Sequence, residues 1–197
     1  MAKLYFKYGA MGSSKTAQAL ITKFNYEERN MRVFLIKPAT DTRDGAELLS
    51  SRAGLSSECT PIDKGTDILG LFSTRADKTD VIIADESQFF TEKQIDELRE
   101  IVNEWDVPVL CFGLRTDFLT RLFPGSKRLL EIADTISEIK TMCECGRKAT
   151  VSARIDGAGK IVTAGRQVVL GGNDRYVAMC HACFVKRIKE EQKNANQ

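Results

Sequence analysis

Strand-like apolar runs and helix-compatible stretches alternate along most of this chain. The apolar runs occupy residues 4–8, 32–37, 81–84 and 107–113, and between them residues 15–29, 66–76 and 92–105 mix apolar with charged positions as a helix can. Such alternation predicts parallel strands joined by right-handed crossover helices, that is, an α/β sheet flanked by helices. Residues 129–133 add a short helix and residues 136–142 one more strand. The segment 38–64 is polar without a clear period and reads as a mobile surface loop. After Met142 the character changes. Gly146, Gly157, Gly159, Gly165, Gly171 and Gly172 punctuate short β-prone runs, which suits a small β-rich appendage carrying a long loop. A charged helix follows from Phe184, with a polar tail over residues 193–197 that is expected to fray.

Composition narrows this picture without redirecting it. At 197 residues there is room for one sizeable domain and a small appendage. Charged residues make up 28% and hydrophobic ones 43%, an ordinary balance with enough apolar material for a core. A net charge of +2 is too small to argue for nucleic acid or an anionic membrane as partner. No apolar run approaches the length of a bilayer span, and Met1 to Phe6 leads straight into a strand without a signal peptide, so the expected compartment is the cytoplasm. In that setting the six cysteines suit metal binding or free thiols better than disulfides.

The chemistry concentrates where strands end. Gly9, Ala10, Met11, Gly12, Ser13, Ser14, Lys15 and Thr16 join the first strand to the first helix, so backbone N–H groups and a helix N-terminus both point at an anion placed there. Lys15 adds a point charge and Thr16 a hydroxyl for magnesium. Ser14 departs from the usual phosphate-loop pattern, which has Gly before the lysine because a Cβ restricts both phosphate approach and unusual backbone angles. Alone, the segment is equally an ordinary strand-to-helix turn. A second segment, Val81-Ile-Ile-Ala-Asp85-Glu86-Ser-Gln88-Phe89, shifts the balance. Its four apolar residues deliver Asp85 and Glu86 to the carboxyl edge of a sheet, although a strand ending in solvated acids has the same look. Together and in this order the two segments read as the halves of a P-loop nucleotide triphosphate site, one for phosphates and one for magnesium.

Cys143-Glu-Cys145 and Cys180-His-Ala-Cys183 form two close pairs separated by 34 residues. The second pair has knuckle spacing and the first is one residue tighter than the common form. Four thiolates on one zinc is the preferred reading over unmetallated buried cysteines, with a closed shell that makes the metal structural and leaves His181 a non-ligand. Cys59 and Cys111 are isolated and read as free thiols. The chain thus divides into a nucleotide-binding domain over residues 1–142 and a zinc-binding appendage with a C-terminal helix over residues 143–197.

Seven ordered segments carry a resemblance that spans nearly the whole chain: Ala10-Met11 with Lys15-Thr16, Asp41-Thr-Arg43, Leu49-Ser-Ser-Arg52-Ala-Gly-Leu55, Asp85-Glu86-Ser-Gln88-Phe89, Phe112-Gly-Leu114-Arg-Thr-Asp117-Phe118, Cys143-Glu-Cys145-Gly-Arg-Lys-Ala149 and Gly171-Gly172-Asn-Asp-Arg-Tyr176. They resemble the cytosolic, zinc-containing thymidine kinases of bacteria, phages and animals, and bacterial and phage members share the tight Cys-x-Cys pair. The resemblance implies ATP as phosphoryl donor and thymidine as acceptor. It implies that Lys15 holds the β/γ-phosphates, that Thr16 and Asp85 hold magnesium, and that Gln88 belongs with the nucleotide-binding residues. Glu86 is implied as the general base for the 5′-hydroxyl, where a supporting carboxylate is the plainer role. Arg154 resembles a family arginine near the donor or acceptor phosphate, whereas an exposed strand arginine would simply be solvated.

The same resemblance implies a thymine pocket. Met11, Leu114, Phe118, Phe123 and Tyr176 match its apolar lining, though by pattern alone each suits a core. Residues 167–176, with Gln167, Val168, Val169, Leu170 and Gly171 at their start, correspond to the loop that closes over the nucleoside. Phe89 is expected to support Glu86 from below. A homotetramer and feedback by thymidine triphosphate are further implications. Two readings compete with this one. A helicase-type P-loop ATPase usually needs a second core domain, and a zinc-ribbon nucleic-acid module should show a clustered basic face with stacking aromatics.

Overall fold

The structure, a computed structural model, describes residues 1–42, 45–167 and 176–195. In chain order the elements are β1 (Leu4–Tyr8), α1 (Lys15–Glu27), β2 (Val33–Pro38), β3 (Leu48–Ser50), β4 (Ser56–Glu58), β5 (Thr60–Ile62), α2 (Ile68–Ser73), β6 (Val81–Ala84), α3 (Glu92–Trp105), β7 (Val109–Gly113), α4 (Pro124–Ile132), β8 (Thr135–Glu138), β9 (Val151–Arg154), β10 (Tyr176–Met179) and α5 (His181–Ala195).

Six strands build one sheet in the order β5-β2-β6-β7-β1-β8, with every neighbouring pair parallel. The central strand β6 shows why apolar runs predict this arrangement. All four of its residues are fully buried, because Ile82 and Ala84 enter one apolar cluster and Val81 and Ile83 the other. The first cluster is closed by Leu98, Ile101 and Val102 of α3 with Leu129 of α4, and the second by Ala19 and Leu20 of α1. The start of α3 is fixed by a reciprocal cap, Gln94 N–H to Thr91 Oγ1 and Thr91 N–H to Gln94 Oε1. Parallel strands share a carboxyl edge, so the turns after β1, β6 and β7 meet there.

The expected surface loop at residues 38–64 is corrected. It contains the antiparallel hairpin β3–β4 and then β5, an edge strand of the main sheet. Each strand is three residues long, too short to show a period, and Pro61 inside β5 is tolerated because an edge strand has a free side. Lys37, fully buried, ties the hairpin down by donating from Nζ to Gly45 O and Leu48 O at 2.8 Å each. Strand β8 is shorter than expected and ends at Glu138; α4 begins earlier, with Pro124 in its first turn. Beyond it, β9 and β10 pair antiparallel, and a separate apolar cluster forms from Val151, Ala153, Ile161, Met179 and Phe184 around Cys143 and Cys180.

Candidate active site and metal centre

The phosphate loop wraps from β1 into α1. Lys15 is buried and folds back on the loop, its Nζ donating to Ala10 O at 3.0 Å, Gly9 O at 3.2 Å and Ser13 Oγ at 3.4 Å. Two residues of the loop take left-handed backbone angles, Gly12 with φ 75° and Ser14 with φ 61°. Glycine does this at no steric cost and serine does not, so the departure seen in the sequence falls on a strained position. Ser14 also caps α1 without a side-chain hydrogen bond.

Asp85 stands beside this loop at the end of β6. Thr16 donates its hydroxyl to Asp85 Oδ2 at 2.6 Å, which joins the two sequence segments directly. Asp85 is 1% exposed, and its Oδ1 is buried with no hydrogen-bond partner among the described residues. Burial, and then the neighbouring Glu86 carboxylate, push the Asp85 carboxyl up to about 7, against the Thr16 hydrogen bond. An unsatisfied buried carboxylate oxygen next to a hydroxyl is a donor set for a hard divalent cation such as magnesium, which would relieve both penalties.

Glu86 follows in a left-handed conformation, φ 49° and ψ 34°, and opens a single 3-10 turn, Ser87–Phe89. The turn throws its side chain into the same cavity as Lys15 and Thr16. That cavity measures about 260 Å³ and is walled on its far side by Asp41 and by Leu49, Ser50, Ser51, Arg52 and Ala53 of the hairpin region. Gln88, fully buried, lies behind Glu86: its Nε2 donates to Glu86 Oε2 at 2.5 Å, and its Oε1 accepts the Leu114 N–H at 2.9 Å. Gln88 therefore faces Glu86 and the β7 edge. Leu114 is 9% exposed.

A second cavity of about 680 Å³ opens on the other side of this turn, lined by Gln88, Phe89, Phe123 and Gln167 among others. Phe89 packs edge-on against Phe123 with ring centroids 5.5 Å apart. Phe118 is buried under Arg154, whose guanidinium lies 3.6 Å from the ring centroid. Arg154 is 6% exposed, so the reading of a solvated strand arginine does not hold. Met11 lines the phosphate cavity instead, and Tyr176 opens β10. Val168, Val169, Leu170 and Gly171 lie outside the described residues.

The cysteines converge as their spacing suggests. The sulfurs of Cys143, Cys145, Cys180 and Cys183 all lie within 4.8 Å of one another. Backbone N–H groups of Cys145 and Cys180 pull the Cys143 thiol down to about 7, and the Cys183 N–H, 3.4 Å from Cys180 Sγ, lowers that thiol too. Cys183 is pushed up to about 12 by its hydrogen bonds with Cys145 and Cys180. Four converging sulfurs, with Cys143 and Cys180 held towards thiolate, fit zinc, whose charge would favour thiolate at the others. His181 pairs its ring with Phe184 and stands outside the cluster.

Comparison with known proteins bears on the whole chain at once. The thymidine kinase family profile matches residues 2–184. The chain belongs to the thymidine kinase family. Among curated relatives, the thymidine kinase of Yersinia pseudotuberculosis is 46% identical over 96% of this chain and 97% of its own length. Those of Vibrio cholerae and Streptococcus gordonii are each 45% identical, covering 91% and 94% of this chain and 95% and 97% of theirs. Among solved structures, the Pif1 helicase of Candida albicans covers 72% of the chain and 36% of itself at a TM-score of 0.42 and 16% identity, a likeness too slight to bear on activity.

Sequence reasoning does not show the far wall of the phosphate cavity. In the sequence, Asp41 and residues 49–53 stand out only as parts of the resemblance, with no role attached. The signal was there, since matched motifs inside an aperiodic polar stretch are hard to explain as a plain surface loop. A second omission is Ser152, whose Oγ accepts the Met11 N–H at 3.0 Å and so fastens β9 to the phosphate loop. No spacing in the sequence points to that contact.

Proposed function

We propose that this protein transfers the γ-phosphoryl group of ATP to the 5′-hydroxyl of thymidine, forming thymidine monophosphate. The observation that carries the reading is that Glu86 lines one cavity with Lys15 and with Thr16, whose hydroxyl is bonded to the buried Asp85. Phosphoryl transfer asks a protein mainly for positioning, charge neutralisation and a base. Lys15, released from its own loop carbonyls, would take the β/γ-phosphates together with the loop N–H groups of residues 9–16. Magnesium, when bound, neutralises charge on the phosphates, and Asp85 and Thr16 are the residues to hold it. Glu86, steadied by Gln88, takes the proton of the 5′-hydroxyl at a carboxylate oxygen. Leu114, Phe118, Phe123 and Tyr176, with Met11, are assigned to the thymine side, and residues 167–176 to the loop that closes over the nucleoside.

In the same reading residues 1–142 form the nucleotide-binding domain, and residues 143–197 form an appendage whose four thiolates hold one structural zinc. The reading places the enzyme in the cytoplasm; no described helix is long and apolar enough to cross a membrane. A homotetramer and feedback by thymidine triphosphate complete the proposal. The test is a labelled-thymidine assay with magnesium and ATP. Labelled 5′-monophosphate in step with ADP is the expected product; ADP release indifferent to thymidine would instead favour a P-loop ATPase.

A further inference from the structure

The turn that follows Glu86 is gripped between two elements. On the β7 side, Phe112 O accepts the hydroxyl of the fully buried Ser87 at 2.8 Å, and Gly113 lies so close that a Cβ there would stand 2.7 Å from both Ser87 Oγ and Gln88 Oε1. On the α4 side, a Cβ at Gly125 would stand 2.5 Å from Ser87 O and 2.8 Å from Phe90 O. Two glycines thus give the turn walls without side chains, which lets backbone approach closely on both sides. Such a grip suits a glutamate at φ 49°, because a left-handed residue with a Cβ persists only where its surroundings over-determine it.

Within this grip the carboxamide of Gln88 has one orientation. The residue is 1% exposed; its Nε2 donates to Glu86 Oε2, and its Oε1 accepts the Leu114 N–H. Turning the amide round would set its NH2 against the Leu114 N–H, so the oxygen belongs to β7 and the nitrogen to Glu86, whose Oε2 accepts. Leu114 is a firm anchor for this bridge, since its own carbonyl accepts the hydroxyl of the fully buried Ser126 at 2.5 Å. Gln88 lines the second cavity with Phe89 and Phe123, whereas the described lining of the phosphate cavity contains Glu86 without it. Both polar atoms of the carboxamide are engaged by protein, which favours a role other than the nucleotide binding that the resemblance implies.

We propose that Gln88 is a positioning residue, which aims the Glu86 carboxylate from the backbone of Leu114 and contacts no nucleotide. The proposal rests on the reading of Glu86 as the general base in thymidine phosphorylation. Steady-state kinetics against both substrates for Gln88→Met, alone and combined with Glu86→Gln, provide the test. Gln88→Met should lower kcat on the order of twentyfold, the worth of a hydrogen bond to a charged group. KM for ATP and KM for thymidine should each stay within about threefold. In the Glu86→Gln background the same replacement should cost less than about threefold, because a residue that acts through the Glu86 carboxylate has nothing left to aim. Ser126→Ala loosens Leu114 while leaving Gln88 and Glu86 joined, and should keep kcat within about threefold of the wild type.

An unchanged kcat in Gln88→Met overturns the proposal, as does a rise in the ATP KM with kcat held, the mark of a nucleotide contact. A full further loss in the Glu86→Gln background also overturns it, and so does a Ser126→Ala variant as slow as Gln88→Met, since loosening of Leu114 would then account for the effect. Should Gln88→Met fail to fold, Gly113→Ala keeps the glutamine but displaces its Oε1, and the same figures decide. A wild type that does not phosphorylate thymidine overturns the proposed function, and this inference with it. An active wild type whose Gln88 variant keeps its kcat overturns the positioning role alone.

Discussion

In the α/β body, a strand such as β6 is buried on both faces and helices from two sides close over it, with Phe6, Phe34, Phe72, Phe90 and Phe112 among the buried side chains. In the appendage, the apolar cluster has one buried aromatic, Phe184, among its described residues, and two of its buried members are the cysteines Cys143 and Cys180. Apolar burial scales with the size of a core, so the first region can hold its shape by packing alone, whereas the second is of a size at which metals commonly supply what packing cannot. The difference maps onto the site. Lys15, Thr16, Asp85 and Glu86 hang from the sheet edge of the body, while Arg154, Gln167 and Tyr176 belong to the appendage. In the proposed reading the phosphate chemistry lies on the body, whereas the nucleoside is shared between Leu114, Phe118 and Phe123 of the body and the cysteine-bearing appendage.

The largest effect should come from the metal centre. Cys180→Ser with Cys183→Ser should remove bound zinc and lower thymidine turnover on the order of a thousandfold, because metal-binding free energy of ~10 kcal/mol or more is folding free energy for such an element. Circular dichroism of the same protein should retain the α/β signal, and metal analysis of the wild type should give about one zinc per chain. Loss of the α/β signal together with the zinc would erase the contrast between the regions.

Next in size is Glu86→Gln, which keeps shape and the Gln88 contact but cannot accept a proton; kcat should drop roughly a hundredfold or more with both substrates still bound. A change of less than about threefold in single-turnover measurements would remove Glu86 from the role of base. Thr16→Ala should cost less, about tenfold in kcat/KM for magnesium and ATP, since it deletes one hydroxyl beside Asp85. Titration of magnesium at fixed ATP would locate the loss.

Ser14→Gly should give the smallest change, and in the favourable direction. Relief of a left-handed serine is worth on the order of 1 kcal/mol, and should appear as tighter ATP binding or a higher kcat with thymidine affinity unmoved. A drop in ATP affinity would show that the Ser14 hydroxyl serves the phosphates and that the strain is incidental.

The two regions also differed in how far the sequence disclosed them. Contiguous apolar residues made β6 and β7 legible, and the elements around them followed, because burial on both faces leaves a mark in composition that survives without alignment. Ser14 was legible too, since the rule it breaks is a rule about backbone angles, and it does occupy the left-handed region. The hairpin β3–β4 and edge strand β5 were not, because strands of three residues carry no period and their stability comes from neighbours such as Lys37. Arg154 was legible through the resemblance as an arginine near a phosphate, while by pattern alone it is an exposed strand arginine. That it is buried on Phe118 depends on where residues 164–166 return, which is a matter of tertiary contact. The cysteine spacing suggested a cluster, but of the N–H groups that favour thiolate at Cys143, that of Cys180 arrives only once the two pairs meet, beside that of Cys145 in the same pair.

If the body binds nucleotide by itself and the appendage confers thymidine recognition, the two affinities should separate when zinc is withdrawn. Calorimetric titration of ATP and of thymidine into metal-stripped protein measures this in one preparation. The expected result is ATP affinity within about threefold of the untreated protein, less than 1 kcal/mol, with thymidine binding lost and restored by added zinc. Thymidine bound at full affinity without zinc, or both ligands lost together, would contradict the division of labour between the two regions.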